Sequence, residues 1–393
     1  MRADARDRIA TAGRSTRASV ATVLACDVGG TKTDLALLEP GEHGLEVVRR
    51  ATYASREHAS LDEIVASFVG PRPGRLAAAG FGVPGHVLGD RGTATNLPWS
   101  VDGAGLARAL GLLRVSLLND VEALAWAVPT LSPSEQISLQ SGAAPPGGAS
   151  GGASGGASGG ASGGASGGAS GGGGDAAGTM AVIAAGTGLG YAALVRGAGE
   201  QRSLASEGGH ADFSPVDDVE IDLLRSLQRR FGHVSVERVV SGPGLYRMYE
   251  HLCERRAEAV AGWDEELRAL GADGAGDPSA AVARAALEGR SALAEQAVLR
   301  FLGCYGAEAG NWALRTFASG GVWLGGGVAR KLLLGPEGTS SDWRERARAA
   351  FLARFRAKGR LTGLLDTIPV RVIVSDLAAI VGVALFARAE HER

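Results

Sequence analysis

The sequence predicts an α/β protein of two domains around a central cleft, each in the order βββαβαβα. Three observations predict this. Both halves open with a glycine-tipped hairpin signal, Asp27-Val28-Gly29-Gly30-Thr31-Lys32-Thr33 and Ala185-Gly186-Thr187-Gly188-Leu189-Gly190. Strand and helix patterns alternate after each hairpin. A low-complexity Gly/Ser/Ala stretch interrupts the chain, and the pattern returns beyond it.

The apolar run Val23-Leu24-Ala25-Cys26 marks a first strand over 22–28. Leu35-Ala36-Leu37-Leu38 marks a second over 33–38, and 45–52 a third. An amphipathic stretch follows at 60–69. Then come strand 76–83, helix 103–110, strand 114–118 and helix 120–128. Beyond the low-complexity stretch, 180–185 and 191–195 read as strands about a glycine turn, with a third at 201–205. Helices are clearest at 218–230 and 281–318. Strand 321–324, helix 327–334, strand 369–374 and helix 376–388 close the pattern.

Residues 1–20 carry five arginines without an apolar core, unlike a signal peptide. Their Arg and Ser content suits a transit peptide, but Asp4 and Asp7 oppose it, so they read as a disordered leader. A small N-terminal domain spans 21–130 and a large C-terminal domain 179–393, whose last helix can return to the small domain. Residues 131–178 read as a flexible loop, with Ala-Ser-Gly-Gly repeats from Gly147 to Gly174. The motifs on either side belong to one site, so this is an overgrown surface loop rather than a linker. Loop-closure entropy grows only logarithmically with length, so its cost is modest.

Of the 393 residues, 45% are hydrophobic and 21% charged, as suits a globular protein. A net charge of −2 gives no electrostatic case for nucleic acid. Cys26, Cys253 and Cys304 are widely spaced, which argues against structural zinc and disulfides and fits a reducing cytoplasm. No apolar run reaches the roughly 18 residues of a membrane span.

The first hairpin tip combines a carboxylate, glycines, a hydroxyl and Lys32. Glycines let backbone N–H groups approach a phosphate, and Asp27 at a strand end can hold Mg²⁺ through water. No P-loop signature occurs. The second cluster has G-x-G-x-G spacing and is followed by a strand, which opposes a dinucleotide fold. The third, Gly325-Gly326-Gly327, lies at a strand-to-helix turn and suits a nucleotide or a close helix–strand contact.

Leu118-Asn119-Asp120 sits where a strand becomes a helix. Asp120 is either the helix N-cap or a general base for a hydroxyl, and the two roles are compatible. Glu207-Gly208-Gly209-His210 sets a carboxylate and an imidazole where both can bond neighbouring hydroxyls of a sugar ring. It lacks the partners of a metal site. Glu237 is a third acceptor or a solvated helix residue, and Asn96, near Trp99, is a further polar candidate.

Together these residues resemble the bacterial ATP-dependent glucokinases of the hexokinase/actin-like ATPase superfamily. The resemblance covers about 22–388 outside the Gly/Ser loop. It rests on Asp27–Thr31, Thr95–Trp99, Leu118–Asp120, Ala185–Gly190, Glu207–Phe213 and Glu237–Gly244 in that order. It implies two ribonuclease H-like domains and transfer of the ATP γ-phosphoryl group to the 6-hydroxyl of glucose. Asp120 would be the catalytic base. Asn119, Glu207, His210 and Glu237, with Asn96, would hold the sugar. Asp27, Gly29, Gly30, Thr31, Lys32, Gly186, Thr187 and Gly188 would surround the phosphates and Mg²⁺, and Gly326 and Gly327 the adenosine. The absence of a cysteine-rich segment after His210 matches the zinc-free branch. The chain is too short before residue 21 for a helix-turn-helix. Family members often form homodimers, and the oligomeric state here is open. Alternatives are a kinase for mannose or N-acetylglucosamine, or a sugar sensor without catalysis. Deletion of 147–174 is expected to leave fold and turnover almost unchanged, checked by circular dichroism and coupled ADP release.

Overall fold

A computed structural model describes residues 21–42, 44–70, 76–94, 97, 99–142, 178–197, 200–257, 260, 262–273 and 276–393. The leader 1–20, Asn96 and the repeats of 147–174 lie outside them.

The first half opens with β1 (Thr22–Val28), β2 (Lys32–Gly41) and β3 (Gly44–Ala54), followed by α1 (Leu61–Val69). Ser60 caps α1 by accepting the N–H of Glu63, and Leu61, Ile64, Val65 and Phe68 form its buried face. Next come β4 (Leu76–Val83) and three short strands, β5 (Gly85–Leu88), β6 (Arg91–Ala94) and β7 (Ser100–Asp102). Then follow α2 (Gly103–Leu110), β8 (Ser116–Asn119) and α3 (Asp120–Ala127). The main sheet has the order β3-β2-β1-β4-β8, and β5-β6-β7 form a small antiparallel sheet of their own. That small sheet is absent from the pattern read in the sequence, because its strands are three or four residues long.

After β9 (Gln136–Gln140), the second half repeats the opening with β10 (Gly178–Ala185), β11 (Leu189–Gly197) and β12 (Glu200–Ser206). The helices α4 (Asp218–Phe231), α5 (Val236–Val239), α6 (Gly242–Arg255), α7 (Trp263–Asp273), α8 (Pro278–Leu287) and α9 (Ala292–Thr316) follow. The chain closes with β13 (Gly321–Gly325), α10 (Gly326–Ala329), α11 (Ser341–Arg356), α12 (Thr362–Thr367), β14 (Val370–Ile373) and α13 (Ala378–Glu392). The second sheet has the order β12-β11-β10-β13-β14-β9. Its first five places match the first sheet place for place, so the duplicated α/β architecture is present.

Two of the expectations are corrected by the structure. The helix expected over 281–318 is two helices, α8 and α9. Gly289, at φ +66°, ends one, and the Ser291 side chain accepts the Ala294 N–H to start the next. Residues 136–140, placed in the flexible loop, form β9 and pair antiparallel with β14. Gln140 is buried there and donates to the carbonyls of Leu365 and Ile368 at 2.7 Å each. Those bonds offset the cost of burying its amide.

Each half lends a helix to the other. α3 follows β8 of the first sheet yet packs on β10 and β11 of the second, while α13 follows β14 and packs on β1 and β4 of the first. Val23, Ala36, Trp126, Met180, Val182, Trp323, Ile380 and Val383 accordingly share one buried cluster between the sheets. The two helices cross backbone to backbone. A Cβ on Gly382 would lie 1.8 Å from the carbonyl oxygen of Ala123. Gly382→Ala is expected to cost about 3 kcal/mol in urea unfolding, because backbone cannot yield as a side chain does. Gly363→Ala, which meets open space, is the matched control.

Candidate active site

Both hairpin tips are built by close backbone approach. In the first, the Gly29 N–H donates to the Lys32 carbonyl at 2.9 Å, and a Cβ on Gly29 would come within 2.5 Å of that oxygen. Buried Ser55 braces the tip. Its hydroxyl donates to the Gly29 carbonyl at 2.6 Å and lies 2.9 Å from the Thr33 hydroxyl, and its N–H donates to Thr31. In the second tip, the Gly186 N–H donates to Gly188 O and the Gly242 N–H to Gly186 O. The Glu237 carboxylate accepts the Leu189 N–H at 2.9 Å, so Glu237 is tied to this hairpin rather than solvated.

Asp120 is the first residue of α3, and Asn119, not Asp120, is its cap. Asn119 Oδ1 accepts the Val121 N–H at 2.9 Å, while its Nδ2 donates to the Gly85 carbonyl at 3.1 Å. Oδ1 keeps a lone pair able to accept a further bond, and the Asn119 side chain also bonds Asp120. Val121 abuts the second hairpin, since a Cβ on Gly190 would lie 2.3 Å from its Cγ2. The carboxylate of Asp120 thus stands on a helix packed against the second hairpin, close enough to Asp27 of the first for their charges to act on each other. Burial raises its pKa, and the charge of Glu207 adds to this. The N–H of Val121, 2.9 Å from Oδ1, works in the opposite direction.

Asp27 is the penultimate residue of β1, paired with Asp34 of β2 and Gly82 of β4. Burial pushes its carboxyl up to about 7, reinforced by the charges of Asp120 and Asp34 and relieved in part by Lys32 and Arg50. Lys32 itself lies 3.4 Å from Asp34. Carboxylates from both halves thus crowd one cleft. Among the described residues, no cluster of three or more His, Cys, Asp or Glu side chains is set to hold a metal ion.

Glu207 lies in the turn after β12. Its Oε1 is 3.0 Å from His86 Nδ1 across the cleft, and its Oε2 is 3.9 Å from His210 Nε2. Gly209 lets this turn press on the second hairpin, where a Cβ would lie 2.1 Å from Leu189 O. Gly326, at φ +79°, similarly sits where a Cβ would come 2.3 Å from Ala185 O. A cavity of about 660 Å³ opens beside these turns, lined by Gly186, Thr187, Gly242, Tyr246, Gly327 and Lys331 among others.

The Glucokinase family profile matches residues 24–160 and 168–390. The chain is 33% identical over 378 residues to the glucokinase of Nostoc sp., spanning 93% of this chain and 98% of that one. The chain belongs to the glucokinase family. Membership makes it an ATP-dependent sugar kinase. The crystal structure of a glucokinase from an Antarctic psychrotroph superposes with a TM-score of 0.72 at 24% identity, covering 94% of this chain and 99% of that one. A ROK family glucokinase from Streptomyces griseus, solved with glucose and AMPPNP, gives 0.56 at 19% identity, covering 94% and 99%. Both share the fold.

For this glucokinase-family chain, the structure brings Asp27, Asp120, Glu207 and His210 to one cleft, and Gly186, Thr187 and Gly327 to one cavity. Asn96 lies outside the described residues. Sequence reading missed Ser55, His86, Tyr246 and Lys331. His86 alone carried a signal, since it stands in a Gly85-His86-Val87-Leu88-Gly89-Asp90 hairpin pattern.

The raised Asp27 pKa has a thermodynamic consequence. The folded state binds a proton more tightly than the unfolded state, so the stability linked to Asp27 is full below pH 4 and is lost as pH rises toward 7. Relative to Asp27→Asn, the unchanged protein is expected to lose up to about 4 kcal/mol across that window, measured by urea unfolding without added metal.

Proposed function

We propose that the chain transfers the γ-phosphoryl group of MgATP to the 6-hydroxyl of glucose, with Asp120 as the general base. The observation that carries this is the placement of a pKa-raised carboxylate at the head of α3, a helix packed against the second hairpin, within reach of the charges of Asp27 and Glu207. A raised pKa makes Asp120 a better proton acceptor than an ordinary carboxylate. It takes the O6 proton as O6 bonds to the γ-phosphorus, while the bond to the bridging oxygen breaks and ADP leaves. The hydroxyl is too weak a nucleophile alone, and most of the catalysis is positioning and electrostatics.

Asn119, Glu207, His210 and Glu237 hold the sugar hydroxyls. Gly29, Gly30, Thr31, Lys32, Gly186, Thr187 and Gly188 present backbone and side-chain donors to the phosphates. Gly327 lines the 660 Å³ cavity that takes the adenosine, and Gly326 precedes it at the start of α10. The charge crowded on Asp27 suits a cation, which fits Mg²⁺ held through water and completed by the phosphates. Bound there, the ion supplies neutralisation of phosphate charge. A small domain, 21–130, and a large one, 179–393, close over the substrates and exclude water. Free, buried thiols at all three cysteines fit a reducing cytoplasm. Among the described residues no helix is long and apolar enough to cross a membrane.

Coupled ADP release with MgATP and a panel of glucose, mannose, fructose and N-acetylglucosamine tests the reading. Glucose is expected to give the highest kcat/KM. Asp120→Ala is expected to lower kcat by about a thousandfold while calorimetric glucose binding persists. Near-normal turnover in that variant would sink the role of Asp120.

A further inference from the structure

We propose that His86 is a positioning residue that fixes Glu207 across the cleft and thereby sets the affinity for the sugar. The inference rests on the glucose-kinase reading of the site. Glu207 is exposed, and its partner within its own half, His210 Nε2, stands at 3.9 Å, beyond hydrogen-bond length. The contact of bonding length comes from the opposite half, where His86 Nδ1 stands 3.0 Å from Oε1. The two groups face each other as a histidine–carboxylate contact, in which only the imidazole has a proton to offer an ionised carboxylate.

An exposed glutamate has many rotamers and loses that freedom when it grips a ligand. A neighbour that holds it beforehand removes part of this cost, which appears as affinity rather than as rate. His86 is well placed for this. It is the second residue of β5, and the first, Gly85, accepts the Asn119 side chain through its carbonyl. One short strand thus steadies the cap of the Asp120 helix and the carboxylate on the other wall. Both His86 and Glu207 are more than half exposed, so the contact is weak enough to open and re-form at each turnover.

The test compares His86→Ala and His86→Asn in the full chain by steady-state kinetics with glucose and MgATP. His86→Ala is expected to raise KM for glucose about fivefold, with kcat and KM for ATP within about twofold. His86→Asn is expected to recover most of the loss, because its amide nitrogen can stand where Nδ1 stood. In a Glu207→Gln background, His86→Ala is expected to add little, since the carboxylate it positions has gone. An unchanged KM for glucose in His86→Ala overturns the assignment. So does an equal loss in both variants, or a fall in kcat with a matching fall in Tm. Absence of glucose-dependent ADP release in the unchanged chain overturns the reading beneath it, and is seen before any variant is made.

Discussion

The crossing of α3 and α13 is the constraint on which the rest of this molecule depends. Two helices meet so closely that only glycine fits at 382, against the Ala123 carbonyl. Small residues continue the seam, with Gly80 admitting Val383 and Ala387 from α13. Each helix belongs by sequence to one sheet and by packing to the other. Close packing at such a seam fixes the helices axially and laterally. The N-terminal end of α3, and the Asp120 carboxylate on it, are therefore placed by the protein's central contact and not by a surface loop.

The same end of α3 meets the second half through small residues. Gly190 admits Val121, and Gly325 admits Leu124 at 2.8 Å from its notional Cβ. These approaches bring the α3 terminus, the second hairpin and the β13–α10 turn together. The outcome is electrostatically unfavourable on its own, because the charges of Asp120 and Asp34 both act against ionisation of buried Asp27. Stability is given up where chemistry requires charge, a common pattern at active sites. A phosphate-bound cation would relieve that repulsion, and this fits the kinase activity of the family.

Much of this was legible in the sequence, and the rest was hidden for physical reasons. Apolar runs over four or more residues revealed β1, β2, β10 and β11, since buried strands must be apolar. Asn119-Asp120 announced a strand-to-helix junction, although the sequence put the cap at Asp120 and the structure puts it at Asn119. Strand β9 was invisible because it buries only Leu139 and Gln140, and the Gln140 amide is satisfied by carbonyls more than 220 positions away. Ser55 and His86 were missed for a similar reason. Their partners, Gly29 and Glu207, are distant in sequence, and the hairpin pattern around His86 marks a turn without naming its partner.

The exchange of helices, together with β9 on the far edge of the second sheet, makes the protein an interlaced object rather than two beads on a string. Chain up to Gly142 supplies the first sheet, α3 and β9, and chain from Gly178 supplies the rest of the second sheet and α13. Neither portion can bury its own apolar helix face without the other. Two polypeptides divided anywhere between those glycines would therefore be natural complements, each serving as the template on which its counterpart folds.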